Sequence, residues 1–130
     1  MFSLSKITPS IVKFLRTNLP HYQIYSYVPK DSQYPLVRLG TMTQEPWYTI
    51  GSNGSCILTV ELEVWSNDTS SKGCIIALDQ VSEAILNHHV FISQCNVANS
   101  VIKHRQVEHL PQPSMWRGVV MWQLWLERGH

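Results

Sequence analysis

The sequence is short of charge. Lys and Arg total 10 and Asp and Glu total 9 in 130 residues, so 15% of the chain is charged, against roughly 25% in an ordinary soluble domain. The formal balance of +1 excludes the basic footprint of a nucleic-acid-binding domain and the polyacidic run of a disordered tail. Cysteines are few as well. Cys56, Cys74 and Cys95 make an odd count with no CxxC or zinc spacing, which excludes a disulfide framework and suits unpaired thiols in a reducing compartment. No stretch approaches the roughly 18 apolar residues of a membrane span. The start, MFSLSKITPS, lacks the continuous apolar core of a signal peptide and reads as the mature start of a soluble intracellular chain. Asn53-Gly54-Ser55 and Asn67-Asp68-Thr69 fit the glycosylation pattern, but without a secretion signal they are read as chance. G-x-S-x-G, P-loop and G-x-G-x-x-G signatures are missing, as are internal repeats and low-complexity tracts.

What remains is a hydrophobic content of 44% with five Trp and five Tyr. At this length one domain over residues 1–130 with a single core is expected. A chain that covers so little of itself with charge must use uncharged polar groups or partners for its surface, and the aromatics favour partners.

Hydrophobic spacing supplies an order of elements. Thr8 and Pro9 suit a helix start, with Ile11, Val12, Phe14, Leu15 and Leu19 toward one side and Pro20 as the stop. A short extended piece, Tyr22 to Val28, leads into a turn. Tyr34 to Gln44 reads as a strand with Pro35 at its first position. Glu45 to Gly54 then forms the tip of a long hairpin, because Asn53-Gly54 tolerates positive φ. The return strand, Ser55 to Trp65, alternates. Leu58, Val60, Leu62 and Val64 share one face; Ile57, Thr59, Glu61, Glu63 and Trp65 share the other. Thr69 to Asn87 reads as a helix with Cys74, Ile75, Leu78, Val81 and Ile85 inward, leaving Ile76 in the polar arc. Val90 to Asn99 has no clear period. Val101 to Leu110 suits a polar edge strand. Trp116 to Glu127 is apolar on both sides, which predicts a central strand whose second face also needs a cover. The expected fold is α+β, a mainly antiparallel four- to five-stranded sheet with two helices packed on one face. Another subunit is the favoured cover for the second face of the last strand.

The segment from Tyr34 to Leu86 resembles the tail completion or tail terminator family of long-tailed phages and gene transfer agents. The resemblance rests on Tyr34-Pro35 leading a strand, Glu45-Pro46-Trp47-Tyr48 with Gly51 in the hairpin loop, and Val64-Trp65 followed by Asp68 and a helix. The N-terminal helix and the last strand agree in order. Val90 to Pro113 has no counterpart. The resemblance implies an α+β structural protein that assembles as a ring, commonly hexameric, on the head-proximal end of the tail tube. There it stops tube polymerisation and joins the tail to the head. Implied partners are further copies of the chain, the tail tube protein and the head completion or connector protein. The implied location is the head–tail junction of a virion assembled in the bacterial cytoplasm. Within that reading Trp47, Tyr48, Ile50, Ile76 and Arg117 are the expected subunit or tube contacts. A head-side stopper is the sibling reading, and a small ligand- or metal-binding enzyme is the rival from another class.

Other constellations are weighed against plainer explanations. Glu61 and Glu63 project from one strand face about 7 Å apart. They read as an exposed strand face or, in a ring, as channel-facing carboxylates past which DNA slides; acid–base or cation chemistry is the remaining alternative. His21, His88, His89, His104, His109 and His130 lack metal-ligand spacing, so no metal, cofactor or catalytic residue is expected. Lys103, Arg105 and Arg117 are expected to pair locally with Glu108, Glu61 or Glu63 instead of binding DNA.

Overall fold

The computed structural model describes residues 2–27, 32–47, 55–112 and 114–128. Helix α1 spans Leu4–Asn18, β1 Ile24–Tyr25, β2 Leu36–Pro46, β3 Cys56–Ser66, α2 Lys72–Asn87, β4 Cys95–Pro111 and β5 Ser114–Arg128. The sheet order is β1-β2-β3-β5-β4. β1 runs parallel to β2, and every other pairing is antiparallel. The α+β expectation holds, with five strands.

α1 begins one turn earlier than the Thr8-Pro9 signal suggests. Ser3 is its N-cap, and the Ser3 carbonyl accepts from Lys6 N and Ile7 N, both at 3.1 Å. The burial stripe explains the shift. Ile7, Ile11, Phe14 and Leu15 are all buried at helical spacing, so the stripe draws the preceding turn into the helix. Pro9 therefore lies inside the helix. Beside it the Thr8 hydroxyl donates to the Leu4 carbonyl at 2.7 Å, a bond that uses a carbonyl of the turn Pro9 weakens. The helix closes with Leu19 N donating to Leu15 O at 2.8 Å, one residue before Pro20.

β3 and β5 form the centre. They pair without interruption from Cys56↔Leu126 to Ser66↔Trp116. One face carries Leu58, Val60, Leu62 and Val64 beside Val120, Trp122, Leu124 and Leu126, all fully buried under the helices. Trp122 anchors this layer: its ring lies 5.5 Å from that of Phe14, and its indole N–H donates to Ser100 Oγ at 2.8 Å. Gly118 lets α2 approach β5 closely, because a Cβ there would stand 3.1 Å from Leu78 Cδ1 and 3.3 Å from Cys74 Sγ. α2 buries Cys74, Ala77, Leu78, Val81, Ser82, Ala84 and Ile85. Ile75, expected inward, is 43% exposed. The stripe is centred on Cys74 and Leu78, and one further residue turns Ile75 by about 100° out of it.

β4 supplies the edge strand expected from Val101 to Leu110, but it begins at Cys95, inside the stretch that had no period. The register with β5 slips between Val97 and Asn99 and again between Ile102 and His104. Each slip reverses which side of the sheet the next residues face. The second brings Arg105 opposite Val120 on the helix side, where it bonds Asp79 Oδ1 at 3.0 Å and Ser82 Oγ at 3.1 Å of α2.

Candidate assembly surface

The opposite face of the sheet has no helix over it among the described residues. Cross-strand pairs arrange its centre in rows: Ile57↔Trp125, Thr59↔Gln123, Glu61↔Met121, Glu63↔Val119 and Trp65↔Arg117. The first row is apolar, and the second is a polar pair in which Gln123 Nε2 donates to Thr59 Oγ1 at 3.2 Å. Met121 and Trp125 are partly buried by their own neighbours, and Val119 is buried outright at 5% exposure. This face is neither open nor sealed.

The lower rows carry an ion-pair cluster. Arg117 donates through Nε to Glu63 Oε2 at 2.5 Å and through Nη1 to Glu108 Oε1 at 2.9 Å, and its Nη2 lies 3.5 Å from Glu61 Oε1. Arg38 of β2 donates to the second oxygen of Glu63. Both oxygens of one carboxylate are thus held, each by a different guanidinium. Burial alone pushes the Glu63 carboxyl up, but the bonds from Arg38 and Arg117 outweigh it and hold the group below its ordinary value. Burial likewise opposes the charge on Arg117, and Glu63 and Glu108 overcome that to raise it. Beneath the cluster, the Arg117 guanidinium carbon sits 5.9 Å from the centroid of the Trp65 ring. Gly40 gives Glu61 its room, since a Cβ there would come within 2.8 Å of Glu61 Oε1.

The predicted contact residues fall in different places. Trp47 closes the described part of the hairpin, its N–H donating to Ser55 O at 3.1 Å. Tyr48 and Ile50 lie outside the described residues. Ile76 is 45% exposed on α2, on the other side of the sheet from Arg117. Arg117 joins Glu61, Glu63 and Glu108, the local pairing read from the sequence, whereas Arg105 pairs with Asp79. Glu63 differs from its expected place on an exposed, channel-facing strand face. It is 3% exposed, because Arg38 and Arg117 close over it from both neighbouring strands. Glu61, its side chain 24% exposed, keeps a surface position.

Sequence reasoning missed Arg38. The hairpin register could have indicated it, since Arg38 stands directly opposite Glu63, but the slip between Leu39 and Met42 defeats a count from the tip. Elsewhere, His104 bonds Gln106 at 3.0 Å, and His109 bonds Ser114 at 3.1 Å while stacking on Trp116. Among the described residues no group of three His, Cys, Asp or Glu side chains could hold a metal ion. Burial pushes the thiols of Cys56, Cys74 and Cys95 up, away from nucleophilic use. No described helix is long and apolar enough to cross a membrane.

Comparison with curated proteins gives no match. Among solved structures, a chain in the virion of a native gene transfer agent particle superposes with a TM-score of 0.81 at 13% identity. The match covers 95% of this chain and 96% of that one, which is agreement in fold. The sequence pattern of the family described as tail completion protein gp17 matches residues 12–127, nearly the whole chain and both faces of the sheet. By that match the chain belongs to the tail completion protein gp17 family, a structural component of phage-type tails.

Proposed function

We propose that the chain caps the head-proximal end of the tail tube as a ring, most simply a hexamer, ends tube polymerisation and presents the surface that joins the head. The observation that carries this reading is the sheet face over which no described helix packs. Its central strand is apolar on both sides, yet Met121, Trp125 and Ile57 are only partly covered within one copy. A ring is closed by heterologous contacts, in which one patch fits a different patch of the next subunit. Two further surfaces are then needed, for the tube and for the neck. Few charges and many aromatics suit a small chain that gives much of its surface to partners. Trp47, with Tyr48 and Ile50 beyond it, is the proposed anchor on the tube or the neighbour. The partners are other copies, the tail tube protein and the head completion or connector protein, at the head–tail junction of particles assembled in the bacterial cytoplasm. The mechanism is steric and interfacial: the cap binds the growing end and offers no copy of the polymerising site. Of the proposed channel-facing pair, Glu61 keeps a partly exposed carboxylate, whereas Glu63 is paired within the sheet.

Electron microscopy of particles from a strain lacking the gene tests this. Overlong tails without heads are expected. Tails of normal length beside full heads that leak DNA would assign the chain to the head-side stopper role instead.

A further inference from the structure

The two helices carry opposite charge. α1 holds Lys6, Lys13 and Arg16 and no acidic residue, and none of the three enters an ion pair of the described residues. Beside it a groove of about 400 Å³ is lined by Pro9, Lys13, Phe14, Thr17, His89 and Phe91. Phe91 is 77% exposed, although its neighbours Val90 and Ile92 are buried at 2% and 1%. The backbone on either side of this aromatic is therefore fixed, and Ser93 N donates to Ser10 Oγ of α1 at 3.4 Å. A rigidly presented aromatic with a lysine beside it and no carboxylate in the lining is built for a contact that is apolar at its centre and acidic at its edge.

α2 offers that chemistry. It contains Asp79 and Glu83 against the single Lys72. Ile75 and Ile76 are 43% and 45% exposed, and Leu86 is 64% exposed. Asp79 is taken by Arg105, whereas Glu83 enters no described ion pair. Ile76 and Glu83 are seven residues apart, hence on one side of the helix and about 10 Å apart along it. Lys6 and Lys13 share that spacing on α1. Within one copy no ion pair joins Glu83 to Lys13.

We infer that the groove between α1 and Phe91 of one copy receives the Ile76–Glu83 ridge of α2 from the next copy, with Lys13 facing Glu83. Groove and ridge are different patches of the same chain, so the contact is head-to-tail and propagates around a ring. This inference rests on the ring reading and names one of its subunit contacts. It also gives Ile76 a seat that the sheet face does not.

Charge reversal tests it. Lys13→Glu, Glu83→Lys and the double variant are purified and their assembly followed by sedimentation velocity and by electron microscopy, alone and with tail tubes. Each single reversal is expected to weaken association about tenfold or more, and the double to restore it. Phe91→Ala is expected to weaken association while leaving the melting temperature unchanged, since the ring is outside the core. Rings that survive both single reversals, or a double variant no better than either single, overturn the inference and leave the ring reading standing. A wild-type chain that stays monomeric even on tube ends overturns both. Binding of a double-stranded DNA oligonucleotide that Lys13→Glu abolishes, with rings unchanged, makes the α1 stripe a phosphate contact and also overturns the inference.

Discussion

Replacing Arg117 by Met tests the electrostatic logic of the sheet face over which no described helix packs. Methionine keeps an unbranched aliphatic stem and removes the guanidinium, with its charge, its N–H donors to Glu63 and Glu108 and its place over Trp65. Glu63, 3% exposed, then keeps a single guanidinium, that of Arg38, which is itself 38% exposed. Orphaning a buried charge costs roughly 3–5 kcal/mol; with one of two partners retained, a loss of about 2 kcal/mol is expected. For a chain of this length that is a fall of roughly 6–10 °C in melting temperature. Urea unfolding of the monomer at neutral pH measures it. The pH dependence has a definite sign. Glu63 is held below its ordinary value in the folded state, so its stabilising contribution is present above the unfolded carboxyl value, about 4.3, and fades as pH falls through the folded one. The gap between wild type and Arg117→Met is therefore widest above about pH 5 and closes on acidification. Adding Glu63→Gln to Arg117→Met removes the stranded charge and restores much of the loss. A cost below about 0.5 kcal/mol, the behaviour of a solvated surface pair, would refute the reasoning.

Three other outcomes are expected. Gly118→Val drives a branched side chain into Leu78 and Cys74 and lowers stability by about 1–3 kcal/mol, measured by the same unfolding curve. Trp122→Ala empties the centre of the helix-side core against Phe14 and costs about 3–5 kcal/mol, visible as a shifted urea midpoint. Trp47→Ala with Tyr48→Ala leaves the far-ultraviolet spectrum and melting temperature near wild type but yields overlong or headless tails in micrographs; normal infectious particles would remove that loop as the anchor.

The core was legible where the hydrophobic period was clean. In β3 the alternation of Leu58, Val60, Leu62 and Val64 against Ile57, Thr59 and Glu61 matches the observed faces. The two-sided apolar pattern of β5 correctly marked a central strand. Period failed where the backbone breaks it. Val90 to Asn99 has no single period because its first five residues precede β4, which begins at Cys95, and the register slip between Val97 and Asn99 changes the facing of the rest. The Thr8-Pro9 signal places the start of α1 too late, because burial of Ile7 at helical spacing extends the helix back to Leu4. The ion-pair cluster was only partly readable. Arg117 with Glu61, Glu63 and Glu108 follows from neighbouring strands, but the burial of Glu63 depends on Arg38, whose register passes through the irregularity at Gly40. The α1 groove depends on Phe91 being turned outward between two buried residues, which composition does not reveal.

The most direct measurement adds the purified chain to polymerising tail tube protein and follows tube length and tube ends by cryo-electron microscopy. The expected result is growth that stops on addition, with one ring of this chain seated on a single end of each tube. Tubes that keep lengthening with bare ends, at concentrations well above that of the ends, would contradict the capping role.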